Sequence, residues 1–159
     1  MGLQQVQAHF KQFGKDGDIF EHAVSTATVL EAAQALGVIP ARIAKTLSFK
    51  VGDSAILVVA AGDAKIDNAK YKAKFGTKAK MLTPEEVETF TGHTIGGVCP
   101  FGLAYPLEVY LDESMKRFDT VFPACGTSNS SIELNLTQLQ EMSGATEWVD
   151  VSKGWQDEV

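Results

Sequence analysis

The stretch "RIAKTLSFKVGDSAILVVAAG", residues 42–62, restricts the fold more than any other part of the chain. An imperfectly alternating run leads through Gly52-Asp53 into a continuous apolar run. A glycine beside an aspartate between two such runs is a hairpin signal, because the tight turns that join antiparallel strands need positive φ. The expectation is two paired strands, the second of them buried.

The flanking segments supply helices and further strands. Leu3, Val6, Phe10 and Phe13 recur at helical intervals and Gly14 stops the run. "DIFEHAV" reads as a short strand, and Ser25 or Thr26 can cap the alanine-rich helix "TATVLEAAQALG", whose composition suits close packing on a sheet. "IDNAKYKAKFG" is a helix ended by Gly76, and "LTPEEVETFTG" has Thr83 as N-cap, Pro84 in the first turn and Glu86 to complete a capping box. "PLEVYLD" alternates as a strand, "ESMKRF" is a helical turn, "TVFPAC" and "SIELNL" are strands around the polar loop "GTSNSS", and "TQLQEMSG" is a closing helix. Helices alternate with strands, yet the hairpin signal argues for a mixed sheet over a purely parallel one. The expected class is α+β, a single domain over residues 1–159.

Bulk properties exclude several functions. A length of 159 residues suits one core, and no apolar run approaches the roughly 18 residues of a membrane span. The start lacks a signal peptide's basic and apolar regions, so the expected location is cytoplasmic, with no membrane partner. The net charge of −6 gives no general grip on a long nucleic-acid duplex. Any such contact has to be local, and the lysines between 65 and 80, among them Lys65, Lys70 and Lys72, offer either a solvated helix face or a backbone-contacting patch. The cysteines are Cys99 and Cys125, and His9, His22 and His93 show no metal spacing, so neither a zinc site, a disulfide framework nor a cofactor is expected.

Three places carry chemistry. Lys45 stands among Ile43, Leu47 and Phe49 in a strand. Pointing inward it would be a perturbed, functional cation; snorkelling from a strand edge it would be unremarkable. "GDAKID" lacks the Walker pattern and reads as a turn with Asp67 or Asn68 as a helix cap. "HTIGGVCPFGL", residues 93–103, gathers three glycines and a proline around Cys99. It precedes a strand, unlike a dinucleotide-binding fingerprint, and is either a tight connection or a loop whose amides face a ligand. A nucleophilic pair of Cys99 with His93 is conceivable from the residue types.

In order and register, "FEHA", "AQALGVIPARIAKTLSF", "GDAKID", "TGHTIGGVCPFG" and "IEL" resemble the YbaK and prolyl-tRNA synthetase editing-domain family of aminoacyl-tRNA deacylases. The resemblance spans nearly the whole chain and implies a mixed, partly barrel-like sheet flanked by helices. It implies hydrolysis, in trans, of the ester between a wrong small amino acid and the 3′ acceptor end of tRNA, typically tRNA for proline. A prolyl-tRNA synthetase or an elongation factor would be the partner that delivers the tRNA. The signature lysine maps to Lys45, and the family's G-x-x-x-P loop to Gly96, Gly97, Val98, Cys99 and Pro100. Amides of Gly97, Val98 and Cys99 would hold the ester carbonyl, while a water helped by the substrate's 2′-hydroxyl attacks. Phe20, His22, Thr46, Phe101, Gly102, Gly126 and Ser131 are the expected substrate contacts, with Cys99 as a pocket wall. Lys65, Lys70 and Lys72 are the expected acceptor-stem contacts. Phe20 stands where the cysteine-specific branch has tyrosine, Ser131 where it has aspartate, and Thr46 where the alanine-specific branch has asparagine. Those departures leave the substrate open, and a binding module that keeps the fold without hydrolysis is the alternative.

Overall fold

The computed structural model describes residues 2–155. Helix α1 (Gly2–Lys11) leads to the two-residue strand β1 (Phe20–Glu21) and helix α2 (Val29–Leu36). Strands β2 (Ile43–Val51) and β3 (Ser54–Ala61) form the expected hairpin, in register from Val51↔Ser54 to Ala44↔Ala61, with Gly52 at φ +58° in the turn. There follow β4 (Lys65–Ile66), α3 (Asn68–Phe75), α4 (Pro84–Thr91), β5 (Glu108–Asp112), β6 (Thr120–Pro123), β7 (Ser130–Ser131) and β8 (Leu134–Asn135). The described chain closes with α5 (Leu136–Ser143), β9 (Glu147–Val149) and β10 (Ser152–Lys153).

The main sheet has the order β8-β6-β2-β3-β5-β9, and two small ladders pair β1 with β7 and β4 with β10. β5 runs parallel to β3, β6 parallel to β2 and β9 parallel to β5, so the sheet is mixed, and it curls into a half-barrel flanked by helices. The apolar run of β3 is buried on both faces. Leu57 and Val59 pack with Val6 and Phe10 of α1, Phe101 and Leu139, while Ile56 and Val58 pack with Phe49, Tyr71 and Val149. A strand covered twice needs no alternation, which explains why its sequence shows none.

Local chemistry decides the helix ends. α4 begins with the capping box of Thr83 and Glu86, and α3 with the Asp67 carboxylate, which accepts from the amides of Ala69 and Lys70. α2 starts later than the sequence suggested. Its cap is Thr28, closing a box with Glu31, because a glutamate three residues on gives Thr28 the reciprocal bond that Ser25 and Thr26 lack. "SIELNL" is not one strand but two short ladders on different partners, and β9 and β10 are too short for any periodicity to announce them. No helix among the described residues is long and apolar enough to cross a membrane.

The Tyr71 ring packs against those of Phe49 and Phe75, and its buried hydroxyl has no hydrogen-bond partner among the described residues. Removing an unsatisfied buried polar group relieves a desolvation cost of about 1–3 kcal/mol. Tyr71→Phe should therefore raise the thermal midpoint slightly or leave it unchanged in calorimetry, and a clear drop would show that the hydroxyl is satisfied in solution.

Candidate active site

The site begins as an interruption in strand pairing. β6 pairs with β2 only at Ile43↔Phe122 and Ala44↔Pro123, and on the same edge the segment 80–82 joins only further along, where Lys50 N donates to Lys80 O (2.8 Å) and Leu82 N donates to Ser48 O (3.1 Å). In an antiparallel ladder alternate residues turn their backbone groups to opposite edges. Ser48 and Lys50 face away from β3, so Thr46 does too, and its N–H and C=O enter the gap. A cavity of about 250 Å³ opens there, walled by β2 residues, by α2's first turn and by Leu82 and Val87, which carry apolar side chains.

Lys45 is the one charged residue on that wall. Its ammonium donates to the carbonyls of Gly62 (3.4 Å) and Ala64, in the "GDAKID" turn that follows β3. An ammonium has three donors, so these two bonds fix the head group and leave one N–H free. Burial pulls the Lys45 pKa below the ordinary lysine value; Asp63 and Asp112 act against that fall, and Lys65 adds to it. Asp112 is itself buried and held by the amides of Ser114 and Val151 and by the Ser152 hydroxyl. Gly62 is required for this arrangement. A Cβ there would lie 2.2 Å from Pro40 O and 2.6 Å from Val29 Cγ1, so only glycine lets the turn press against α2. The turn's role as the lysine's holder was not visible in the sequence, because carbonyls carry no residue-type signal.

The opposite wall is the glycine loop. Gly96 and Val98 line the cavity. A Cβ on Gly97 would lie 2.4 Å from Thr127 N and 2.6 Å from Gly126 C, and Gly126 donates to Gly97 O at 2.9 Å. The glycines therefore let two backbones touch. Gly97's own amide is spent on Thr94 O (3.0 Å), so it is not a free donor as expected; among the described residues the amides of Val98 and Cys99 have no protein acceptor.

The polar loop 124–131 is stitched on its other side to residues 20–28. Ser128 O accepts from the Thr26 amide (2.6 Å), Asn129 O from the His22 amide (2.7 Å), and the Ser131 hydroxyl meets His22 Nε2 at 2.7 Å. Ser131 and Thr46 line the cavity, whereas His22 reaches it through Ser131.

Other expected contacts sit elsewhere. Cys99 is fully buried in the main core and does not line the cavity, so it is not a pocket wall. Its sulfur lies 3.6 Å from His93 Nε2, but that nitrogen also meets Phe101 O at 2.7 Å. Burial pushes the Cys99 thiol up to about 12 and the His93 imidazole down, which disfavours the thiolate–imidazolium form a nucleophilic pair requires. Phe101 packs on Phe10 with ring centres 4.6 Å apart, and Pro100 is buried. A Cβ on Gly102 would meet Gln5 O at 2.7 Å and one on Gly126 would meet Gly2 O at 2.6 Å, so both serve the approach of α1. Phe20, 46% exposed, borders a different hollow with Lys15 and Glu133. Lys65, Lys70 and Lys72, expected on the acceptor stem and not in the pocket, lie off the cavity wall, and Lys70 is engaged by Asp150 (3.0 Å) and Ser152 O. No group of three potential metal ligands occurs among the described residues.

Lys45 and the glycine-loop residues Gly96 and Val98 thus border one cavity. A model of the aminoacyl-tRNA editing domain matches residues 23–142. The chain belongs to the aminoacyl-tRNA editing domain family. This editing domain is 57% identical to YwhH, an uncharacterized protein of Bacillus subtilis (strain 168), over 157 residues that cover 98% of this chain and 100% of that one. It is 30% identical to a proline–tRNA ligase of Geobacillus sp. (strain WCH70) over 108 residues, 67% of this chain but 19% of the ligase, so it spans about a fifth of that enzyme's length. A crystal structure of a proposed trans-editing enzyme for prolyl-tRNA synthetase superposes with a TM-score of 0.87 at 33% identity, covering 96% of this editing domain and 98% of that chain.

Proposed function

We propose that the whole chain is one editing domain that acts as a deacylase, hydrolysing in trans the ester of a tRNA charged with a small, uncharged amino acid, with tRNA for proline the first candidate. The observation that carries this reading is a pinned Lys45 ammonium on the same cavity wall as Val98, whose amide has no protein acceptor among the described residues, with the equally unpartnered Cys99 amide next to it in the chain. Lys45 would orient the terminal nucleotide or ester electrostatically, and the two amides would receive the oxyanion as water adds to the carbonyl. The substrate's own 2′-hydroxyl would guide the water, so no protein nucleophile is needed. Both cysteines fit that account, because burial raises both thiol pKa values.

The cavity wall bears no carboxylate and is largely aliphatic, which favours uncharged side chains. Discrimination between neighbours that differ by one methylene is then worth only about 1–3 kcal/mol, so the domain should act on a small set of amino acids instead of one. The three departures from the family's specific branches meet different fates. Thr46 and Ser131 are on the wall, and Phe20 is not.

A panel of tRNAs charged with alanine, serine, threonine, cysteine, valine and 2-aminobutyrate tests the reading by release of free amino acid. Turnover of at least one ester well above spontaneous hydrolysis is expected. Retained tRNA binding with no turnover across the panel would instead make the protein a non-catalytic binding module. Delivery by a synthetase or an elongation factor belongs to the same proposal, since a chain of net charge −6 has little general attraction for tRNA.

A further inference from the structure

An aminoacyl ester brings an α-amino group with it, and the cavity wall has no carboxylate to receive one. Lys45, the one charge present, would repel an ammonium, and its head group is turned to the Gly62 and Ala64 carbonyls. The amine therefore needs neutral acceptors. Four of the six hydroxyls on the wall are engaged, Thr26 and Thr28 in bonds to Ser128 O and Glu31, Ser130 with Thr127, and Ser131 with His22; those of Thr46 and Ser48 have no bond among the described residues, but the Ser48 carbonyl is already taken by the Leu82 amide.

Thr46 differs in two independent ways. Its carbonyl projects into the gap between the Ala44↔Pro123 pair and the bond to Ser48, where no strand continues the sheet. Its hydroxyl is buried and has no hydrogen-bond partner among the described residues. Leaving a buried polar atom unmatched costs about 1–3 kcal/mol, a cost that a ligand donor would remove. An amine has two or three N–H donors, so it can satisfy both oxygens at once.

We infer that Thr46 is the α-amino receptor of the site, its carbonyl and hydroxyl both accepting from the amine of the bound aminoacyl group. This rests on the reading that the cavity takes an aminoacyl ester. The amine would lie against the open edge of β2 as a neighbouring strand's N–H would. Recognition would then be independent of the amino acid's side chain, leaving the aliphatic wall to sort by size. A site built this way demands a free amine.

Two non-hydrolysable probes test it: 3′-alanylamino-3′-deoxyadenosine and its des-amino counterpart, the 3′-propanoylamino compound. Wild-type protein should bind the first at least 10-fold more tightly by calorimetry, the lower bound for a hydrogen bond to a charged donor. Thr46→Val removes the hydroxyl without changing the shape, and should cut that ratio several-fold without loss of stability, since the hydroxyl is unsatisfied. Thr46→Ser should keep the ratio. Equal affinity for the two probes, no binding of either, or an unchanged ratio in Thr46→Val would overturn the inference. The readout separates this claim from hydrolysis: turnover in the tRNA panel with a probe ratio of one sinks Thr46 alone, while a preserved ratio without turnover sinks the deacylase.

Discussion

Lys45→Ala should lower kcat/KM for deacylation by roughly 10²–10³, the range seen when one preorganised electrostatic donor is removed from a hydrolytic site. The substitution leaves the carbonyls of Gly62 and Ala64 without their donor, so circular dichroism and a melting curve have to accompany the kinetics. A similar fold with activity within threefold of wild type would sink the assignment. The pH profile gives a second, independent reading. Because burial lowers the Lys45 pKa, an ammonium-dependent activity is present below the folded-state value and fades above it, at lower pH than for a solvent-exposed lysine. Lys45→Arg keeps its charge throughout this range and should remove that alkaline limb even if it also lowers the rate. Stability has the opposite sign. The unfolded chain holds the proton more tightly than the folded one, so this group's contribution makes stability rise as pH passes from the folded value to the unfolded one.

Gly97→Ala should damage both the fold and the site. The added methyl would sit 2.4 Å from Thr127 N and 2.6 Å from Gly126 C, main-chain atoms that cannot swing aside as a side chain would. Forced overpacking of this kind costs about 1–3 kcal/mol, which in a domain of this size is a fall in melting temperature of roughly 3–10 °C. The larger effect should be on activity, because separating loops 94–98 and 126–128 shifts Val98 and its unpartnered amide on the cavity wall. Gly144 supplies the control. It has φ +67° but open space where a Cβ would go, so Gly144→Ala should cost the backbone strain of about 1–2 kcal/mol while leaving deacylation intact. Equal activity losses in the two variants would mean that Gly97 acts through global stability alone.

The parts of the fold that were legible in the sequence are those set by neighbours in the chain. Gly52 at the hairpin turn, Thr83 with Glu86 at the head of α4 and Gly76 at the end of α3 each answer a local need: positive φ, an unpaired amide, a helix stop. Thr28 was within reach of the same logic through Glu31. The short ladders of β7 to β10 were not, because two or three residues cannot display a period.

For the candidate site, the sequence by itself singled out the stretches that border or brace the cavity: the "KTL" strand with Lys45, the "GDAKID" turn, and the glycine loop with its close-approach residues. It also narrowed the chemistry, since no metal spacing or Walker pattern was present. Tertiary structure alone decided what each residue does there. It gave Lys45 its two carbonyl partners, spent the Gly97 amide on Thr94, sent Cys99 and Phe101 into the core, and left the α3 lysines off the cavity wall. Above all it opened β2 at Thr46, since pairing on that edge comes from two segments, β6 and 80–82, that lie far apart in the chain. A gap between two distant partners is a property of neither sequence segment, and it is that gap which forms the cavity.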